Sequence, residues 1–368
     1  MSEIKKEVIF NGLAFHFHPS GFGVYSRNLF NAFFDLGITK KGFFLSKENI
    51  PDSVKITRVW RMLSFENGTL SHLLRILWYQ LVLPFKCKKN TIFYSPLPEG
   101  SIWGRFEQII TIHDLTPLIY PEYHSRLKLY YKWFLPLIIR KSSLIIVPSH
   151  STKSDLIKFF KIDSNKIFTA YNGVNTSSFY KENSKEKSDY YISIGDLRPH
   201  KNFKNTIKAF SMTKKPLLYL VGKINTYSKN EAISLIKEYG IEDRVKFLGH
   251  VSDQELRKLY NHSKGLLYPS LYEGFGLPIV EALACGCPVL TSNISSMKEI
   301  ASEITLKADP TNVDDIFQKM KSLDIIDQTM YEYDEYIKDY NWHESAKKIL
   351  NLLSQRSSTK YIPQENVI

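Results

Sequence analysis

Twice along this 368-residue chain the same order recurs: a short apolar run, a turn rich in glycine or polar residues, then a helical pattern leading to another apolar run. Such alternation constrains the fold strongly, because consecutive strands joined through helices pair in parallel and need helices on both faces of the sheet. In the first half Val8-Ile9-Phe10 leads through Gly21-Phe22-Gly23 into a helical pattern over 24–36. Further strands are expected at 91–94, 108–112 and 144–147, and Pro148-Ser149-His150-Ser151 reads as a strand end followed by a helix cap. A charged run over 181–189 interrupts the pattern and places a boundary near residues 175–189. The order then restarts, with strands expected at 191–194, 217–221, 245–247, 266–268 and 288–290 and helices between them. The expected class is α/β, with two Rossmann-like domains, residues 1–180 and residues 181–335. A helix and polar tail over 336–368 are expected to pack back on the first domain. Ligands of such sheets bind at the carboxyl ends of the strands, here in the cleft between the domains.

Charge is distributed unevenly between the halves. Residues 1–180 hold 23 Lys and Arg against 12 Asp and Glu, whereas the rest hold 26 against 25, so the first half carries nearly all of the +12 net charge. Two of its segments, 73–89 and 126–141, combine apolar and aromatic residues with lysines and arginines at their ends. That composition suits a helix lying at an anionic lipid surface, and equally a helix packed in the domain with charged ends outside. Peripheral association with an anionic membrane surface is the expectation. No apolar run is long enough to span a bilayer. The start of the chain lacks a signal-peptide pattern, and three cysteines form neither a disulfide framework nor a zinc spacing, so a cytoplasmic location is expected. Nucleic acid is not an expected partner, since no zinc-finger or single-strand-binding pattern accompanies the charge.

The most specific chemistry lies in Glu273-Gly274-Phe275-Gly276-Leu277-Pro278-Ile279-Val280-Glu281, where two carboxylates flank a glycine-rich turn that enters a helix. Free amides at a helix start accept phosphate oxygens. A carboxylate repels phosphate, so Glu281 must face neutral hydroxyls such as those of a ribose. Between a strand and a helix of the second domain, Arg198 and Lys201 are placed to neutralise a diphosphate whose charge grows as a bond to its oxygen breaks. His113-Asp114 ends the strand 108–112 and points at the cleft, although a capping turn would use the same pair. Gly21 and Gly23 follow the first strand and could let backbone approach a diphosphate; Ser26 breaks the G-x-G-x-x-G fingerprint. With no D-x-D pattern, no divalent metal requirement is expected, and side-chain cations and helix ends take its place.

Taken together, Tyr268 to Ala282, Gly286-Cys287-Pro288-Val289 and Ser292-Asn293 resemble the retaining nucleotide-sugar glycosyltransferases of the large E-x7-E family, family four, with the GT-B arrangement of two Rossmann-like domains and an interdomain cleft. The resemblance implies that Glu281 binds the donor ribose and Glu273 the transferred sugar, with the amides of Phe275, Gly276 and Leu277 near sugar and diphosphate. It further implies that Lys201 holds the diphosphate, that Gly21 and Gly23 shape a first-domain loop, and that His113 approaches the sugar from the opposite wall. Catalytic roles accordingly fall to His113, Glu273, Lys201 and Arg198. The chain departs from the family at Asp196, where an arginine is frequent, with Arg198 as a candidate substitute, and at Val24 before Tyr25. Ile112 to Leu115, Val147-Pro148-Ser149, Tyr171 to Val174 and Leu290 to Ser296 are similar to bacterial O-antigen and capsule enzymes, many of them mannosyltransferases. This implies GDP-mannose as donor, with UDP-sugars, dTDP-rhamnose and GDP-fucose as alternatives. It also implies a glycan on undecaprenyl diphosphate as acceptor, bound by residues 1–180 at the inner face of a bacterial cytoplasmic membrane, a nucleotide sugar bound by residues 181–335, and no tightly bound cofactor. A noncatalytic nucleotide-sugar-binding module is the alternative of another class.

Overall fold

Two parallel sheets organise the computed structural model, which describes residues 6–16, 21–65, 68–182, 188–223, 226–301, 303–325 and 333–358. The first contains β1 (Glu7–Asn11), β2 (Lys41–Phe44), β3 (Lys55–Arg58), β4 (Thr91–Ser95), β5 (Glu107–Thr111), β6 (Leu144–Val147) and β7 (Ile167–Thr169), in the order β3-β2-β1-β4-β5-β6-β7. The second contains β8 (Tyr190–Ile194), β9 (Leu217–Val221), β10 (Val245–Gly249), β11 (Gly265–Tyr268), β12 (Val289–Ser292) and β13 (Leu306–Ala308), in the order β10-β9-β8-β11-β12-β13. All neighbouring pairs are parallel. In each sheet the strand order reverses beside the first strand, between β1 and β4 and between β8 and β11. Those reversals open the crevices in which doubly wound sheets bind ligands.

Short strands account for most differences from the sequence reading. β2, β3, β7 and β13 were not expected, and β3 shows why: Lys55-Ile56-Thr57-Arg58 is an exposed edge with no apolar run to announce it. The first helix starts at Gly21 and runs to Asp35, so Gly21 and Gly23 form its first turn and are not a loop ahead of it. Residues 17–20 lie outside the described residues.

The first lobe is built on rings. Phe10, Phe30, Phe33, Phe44 and Tyr94 meet at centroid separations of 5.1–6.3 Å, mostly edge to face. Burial of each such ring contributes about 1.5–3 kcal/mol. The terminal helix Trp342–Ser358 adds Trp342, Ala346, Ile349, Leu350 and Leu353 to this core. Trp342 lies edge-on to Tyr25, and Ser345 Oγ donates to the Tyr171 carbonyl. The chain therefore crosses from the second sheet back to the first and ties the lobes together.

Segment 73–89 folds as the helices Gly68–Leu81 and Leu83–Lys86, and neither simple expectation describes it. Ser71, Arg75, Trp78 and Tyr79 face inward, while Leu70, Leu73, Leu77 and Leu81 are more than half exposed on the outer face. Segment 126–141 continues helically through Tyr130–Phe134 and Leu135–Lys141, with Leu129 and Trp133 exposed. The two segments are neighbours, since His72 and Tyr130 are in ring contact and Ile76 packs on the cluster that contains Tyr130 and Leu135.

Candidate active site

The loop after β8 and the loop after β11 meet at the reversal of the second sheet. The first is held in an unusual backbone form: Leu197 and Asn202, neither of them glycine, adopt φ values of 55° and 56°. Such conformations persist where surrounding contacts enforce them. Leu197 is buried, and Asn202 Nδ2 donates to the carbonyls of Pro269 and Pro310 at 2.8 and 2.6 Å. Lys201 is thereby aimed at the second loop, where its Nζ donates to both carboxylate oxygens of Glu273 at 2.7 and 3.0 Å and to the Tyr268 hydroxyl at 3.0 Å. Tyr268 in turn donates to Glu273 at 2.8 Å, closing a triangle. Burial alone would lower the Lys201 pKa, but Glu273 and Tyr268 outweigh it and the net displacement is upward. The ammonium stays charged at every physiological pH. Lys201 and Glu273 keep 19% and 12% of their side-chain surface exposed, enough for a ligand to reach both.

Glu281 behaves differently. It lies in the helix Leu277–Ala284, which starts from Gly276 at φ 105° and carries Pro278 in its first turn. The Tyr260 hydroxyl lies 3.5 Å from its carboxylate. Burial, with the negative charge of Asp253 second, pushes the Glu281 pKa up to about 7. Asp253 also acts electrostatically on Arg27 of the first lobe. Hydrogen-bond donors brought to this carboxylate would favour its charged form. Phe275 buries its ring against Tyr171 and Tyr340, which fixes the backbone between the two acids.

From the first lobe, His113 follows β5 and donates from Nε2 to the Pro96 carbonyl at 2.8 Å. That bond assigns the proton to Nε2 and leaves Nδ1 as an acceptor. Burial lowers the His113 pKa against the opposing pull of Pro96 and Asp114, so the ring is neutral. Phe22 and Tyr25 flank it at 5.0 and 4.6 Å between centroids. Asp114 caps the following turn through the Thr116 amide at 2.8 Å, the role that the capping expectation assigned it. His113 and the Glu273 loop are in backbone contact, because a Cβ on Gly274 would lie 1.9 Å from the His113 carbonyl oxygen. Only glycine fits there.

Arg198 reaches the opposite lobe. Its guanidinium pairs with Asp196 and donates to His124 Nε2 at 3.0 Å, across the cleft, while Lys201 is the cation at Glu273. Asp196, the family departure, is thus the partner of the arginine proposed to replace the missing one. Of the other glycines, Gly23 is buried in the first helical turn and Gly21 is exposed. Sequence reasoning gave no role to Tyr268, although it stood in the quoted motif, nor to Tyr260, Asp253 or His200. Burial pushes the His200 pKa down to about 4, and its ring meets Tyr120 of the first lobe at 5.7 Å. Among the described residues, no group of three His, Cys, Asp or Glu side chains is placed to hold a metal ion.

The pattern of Glycosyltransferase Family 4 matches residues 91–178, and that of Glycosyl transferases group 1 matches residues 174–339. With two GT-B-type parallel sheets and these matches, the chain is a glycosyltransferase of the GT-B architecture. It is 28% identical over 248 residues to the O-antigen chain mannosyltransferase RfbU of Salmonella typhimurium, covering 67% of this chain and 69% of the relative. It is 29% identical over 249 residues to O-antigen chain mannosyltransferase B of Escherichia coli, covering 62% and 64%. An N-acetylgalactosamine-N,N'-diacetylbacillosaminyl-diphospho-undecaprenol 4-alpha-N-acetylgalactosaminyltransferase of Campylobacter jejuni is 27% identical over 270 residues, 71% of each chain. Among solved structures, sucrose-phosphate synthase from Thermosynechococcus elongatus superposes with a TM-score of 0.71 at 18% identity, covering 95% of this chain and 98% of that one, a likeness of fold.

Proposed function

We propose that the chain transfers mannose from GDP-mannose, with retention of anomeric configuration, to a hydroxyl of a lipid-linked oligosaccharide in O-antigen or capsule synthesis. The observation that carries this reading is the convergence of Lys201, Tyr268 and Glu273 at the reversal of the second sheet, on a loop that meets the His113 backbone at Gly274 and leads into the helix of Glu281. In this reading the diphosphate draws Lys201 from Glu273, which frees that carboxylate to accept hydroxyls of the sugar. Glu281 takes the ribose hydroxyls, and the amides of Phe275, Gly276 and Leu277 face the departing phosphate. No second carboxylate is needed as a nucleophile if the acceptor hydroxyl attacks from the face that the nucleoside diphosphate leaves, with the departing phosphate taking its proton.

The names of two relatives support mannose, and that of the Campylobacter enzyme supports an undecaprenyl-diphosphate-linked acceptor. An acceptor of that kind lies at a membrane. The outer leucine face of helix Gly68–Leu81, with Phe85, Trp103 and Trp133 exposed and Lys86, Lys88, Lys89, Lys128 and Lys132 around them, supports attachment to an anionic inner-membrane surface. No helix among the described residues is long and apolar enough to cross a membrane. The test is incubation with GDP-mannose, GDP-fucose, UDP-sugars and dTDP-rhamnose in the presence of a lipid-linked acceptor extract. Release of GDP from GDP-mannose that depends on the extract is expected; nucleotide binding without release from any donor would mark a noncatalytic binding module.

A further inference from the structure

The turn that carries Glu273 is held in place from the opposite lobe. Ser149 Oγ and Thr152 Oγ1, at the start of the first-lobe helix His150–Phe160, donate to the Gly274 carbonyl at 2.7 and 3.1 Å. The hydroxyl of Tyr272 accepts from the Leu115 amide at 3.1 Å and donates to Asp155 at 2.9 Å. Behind the turn, Glu299 of the second lobe accepts the amides of His150 and Ser151 at 2.8 and 3.0 Å, placing its charge at the positive end of the same helix. Glu299 lies in the helix Ser295–Ile300, whose Ser295 and Ser296 hydroxyls donate to the Glu273 carbonyl at 3.1 and 2.8 Å. The contacts form a closed circuit: Glu273 carbonyl, Ser295 and Ser296, Glu299, the helix start, Ser149 and Thr152, Gly274 carbonyl.

This circuit does more than join two domains. Ser149 and Thr152 are buried, so their hydroxyls have no water to turn to if the lobes stay as they are. His113 meets Gly274 backbone to backbone in the same patch, so seating the helix start on the Gly274 carbonyl is what sets His113 opposite Glu273. Lys201 and Glu281, by contrast, belong wholly to the second lobe. We infer that Ser149, Thr152 and Tyr272 are positioning residues, which assemble the sugar-transfer site when the lobes dock and leave nucleoside-diphosphate binding on the second lobe unaffected. The inference rests on the donor reading proposed above for its consequence in turnover, and on geometry alone for the docking.

Three readouts on Ser149→Ala/Thr152→Val, Tyr272→Phe and Thr152→Ser test it: small-angle scattering, calorimetric titration with GDP, and GDP release from GDP-mannose with acceptor extract. The double variant should scatter as a more open particle, keep its GDP Kd within about twofold and lose kcat on the order of 10- to 100-fold, the scale of a misplaced reacting group. Tyr272→Phe should move the same way by less, and Thr152→Ser, which keeps the hydroxyl, should restore wild-type behaviour. Unchanged scattering, or kcat within twofold of wild type in the folded double variant, would overturn the inference. So would GDP affinity that falls in step with kcat, since the loop would then be collapsing as a whole. If the double variant does not fold, Glu299→Gln carries the same expectations at reduced size. Opening on scattering in a protein that binds no GDP would leave the docking standing and refute the donor reading, so the two fail separately.

Discussion

The two lobes share a topology and divide the chemistry unequally. In the second, Lys201 and Glu273 come from two loops of one sheet and pair with each other, both touching Tyr268. In the first, the site contributes a neutral imidazole seated among rings, while the surplus positive charge lies on the outer helices. Under the proposed donor reading, the basic lobe is not the lobe that binds the anion. A diphosphate needs one well-held cation and free amides more than it needs net charge, whereas a membrane surface reads net charge and exposed apolar area.

The sharpest break of this comparison is Lys201→Ala. Turnover should fall on the order of 10²- to 10³-fold, the scale of losing a charge-stabilising donor. Because Glu273 would be left a buried carboxylate without its counter-ion, stability should fall as well, by about 1–3 kcal/mol. Lys201→Ala combined with Glu273→Gln should recover the melting temperature and not the activity, as read by thermal unfolding beside kcat. Recovery of both would move the diphosphate elsewhere.

Next in size is Glu281→Gln. The folded-state pKa near 7 lies above the ordinary carboxyl value, so between those two pH values the folded chain holds a proton that the unfolded chain has released, and stability declines as pH rises through that window. The amide should therefore stabilise the unliganded protein above pH 7, on the order of 1–3 kcal/mol, and have no such effect near pH 4. It should also weaken GDP about tenfold at pH 8, and wild-type affinity should fall toward the variant's as pH drops below 7. Urea titrations and calorimetry at pH 5 and pH 8 decide the matter; equal stabilisation at both would remove Glu281 from the explanation.

On the first-lobe side the effects are smaller. His113→Ala removes a neutral hydrogen-bonding group, and kcat should fall about tenfold with GDP affinity unchanged. Lys86→Glu/Lys88→Glu/Lys89→Glu should reduce co-sedimentation with anionic vesicles several-fold, about 1 kcal/mol per lysine at most, and leave GDP binding as it was. Loss of GDP binding in that variant would mean that the basic lobe serves the donor after all.

What the sequence made legible followed from range. Glu273 and Glu281 stand within nine residues, and the glycines and proline between them announce their own turn and helix start. The strands beneath them, such as Leu266-Leu267-Tyr268, are fully buried apolar runs. Lys201 needed only a strand before it and a helix after it. By contrast, Ser149, Thr152, Asp155 and Glu299 lie more than a hundred residues from their partners or more, and nothing local distinguishes such a serine from any helix cap. The pairing of Arg198 with Asp196 and with His124 on the other lobe was likewise out of view, because in the sequence Asp196 reads only as a position where an arginine is frequent. Gly21 and Gly23 read as a loop because glycine usually breaks a helix, yet the helix begins on them.

A structure determined with GDP bound would show where the diphosphate lies. The diphosphate should lie within hydrogen-bonding distance of Lys201 Nζ, with Glu273 released from that lysine and the ribose hydroxyls on Glu281. A nucleotide seated elsewhere, with the Lys201–Glu273 pair undisturbed, would contradict the donor reading.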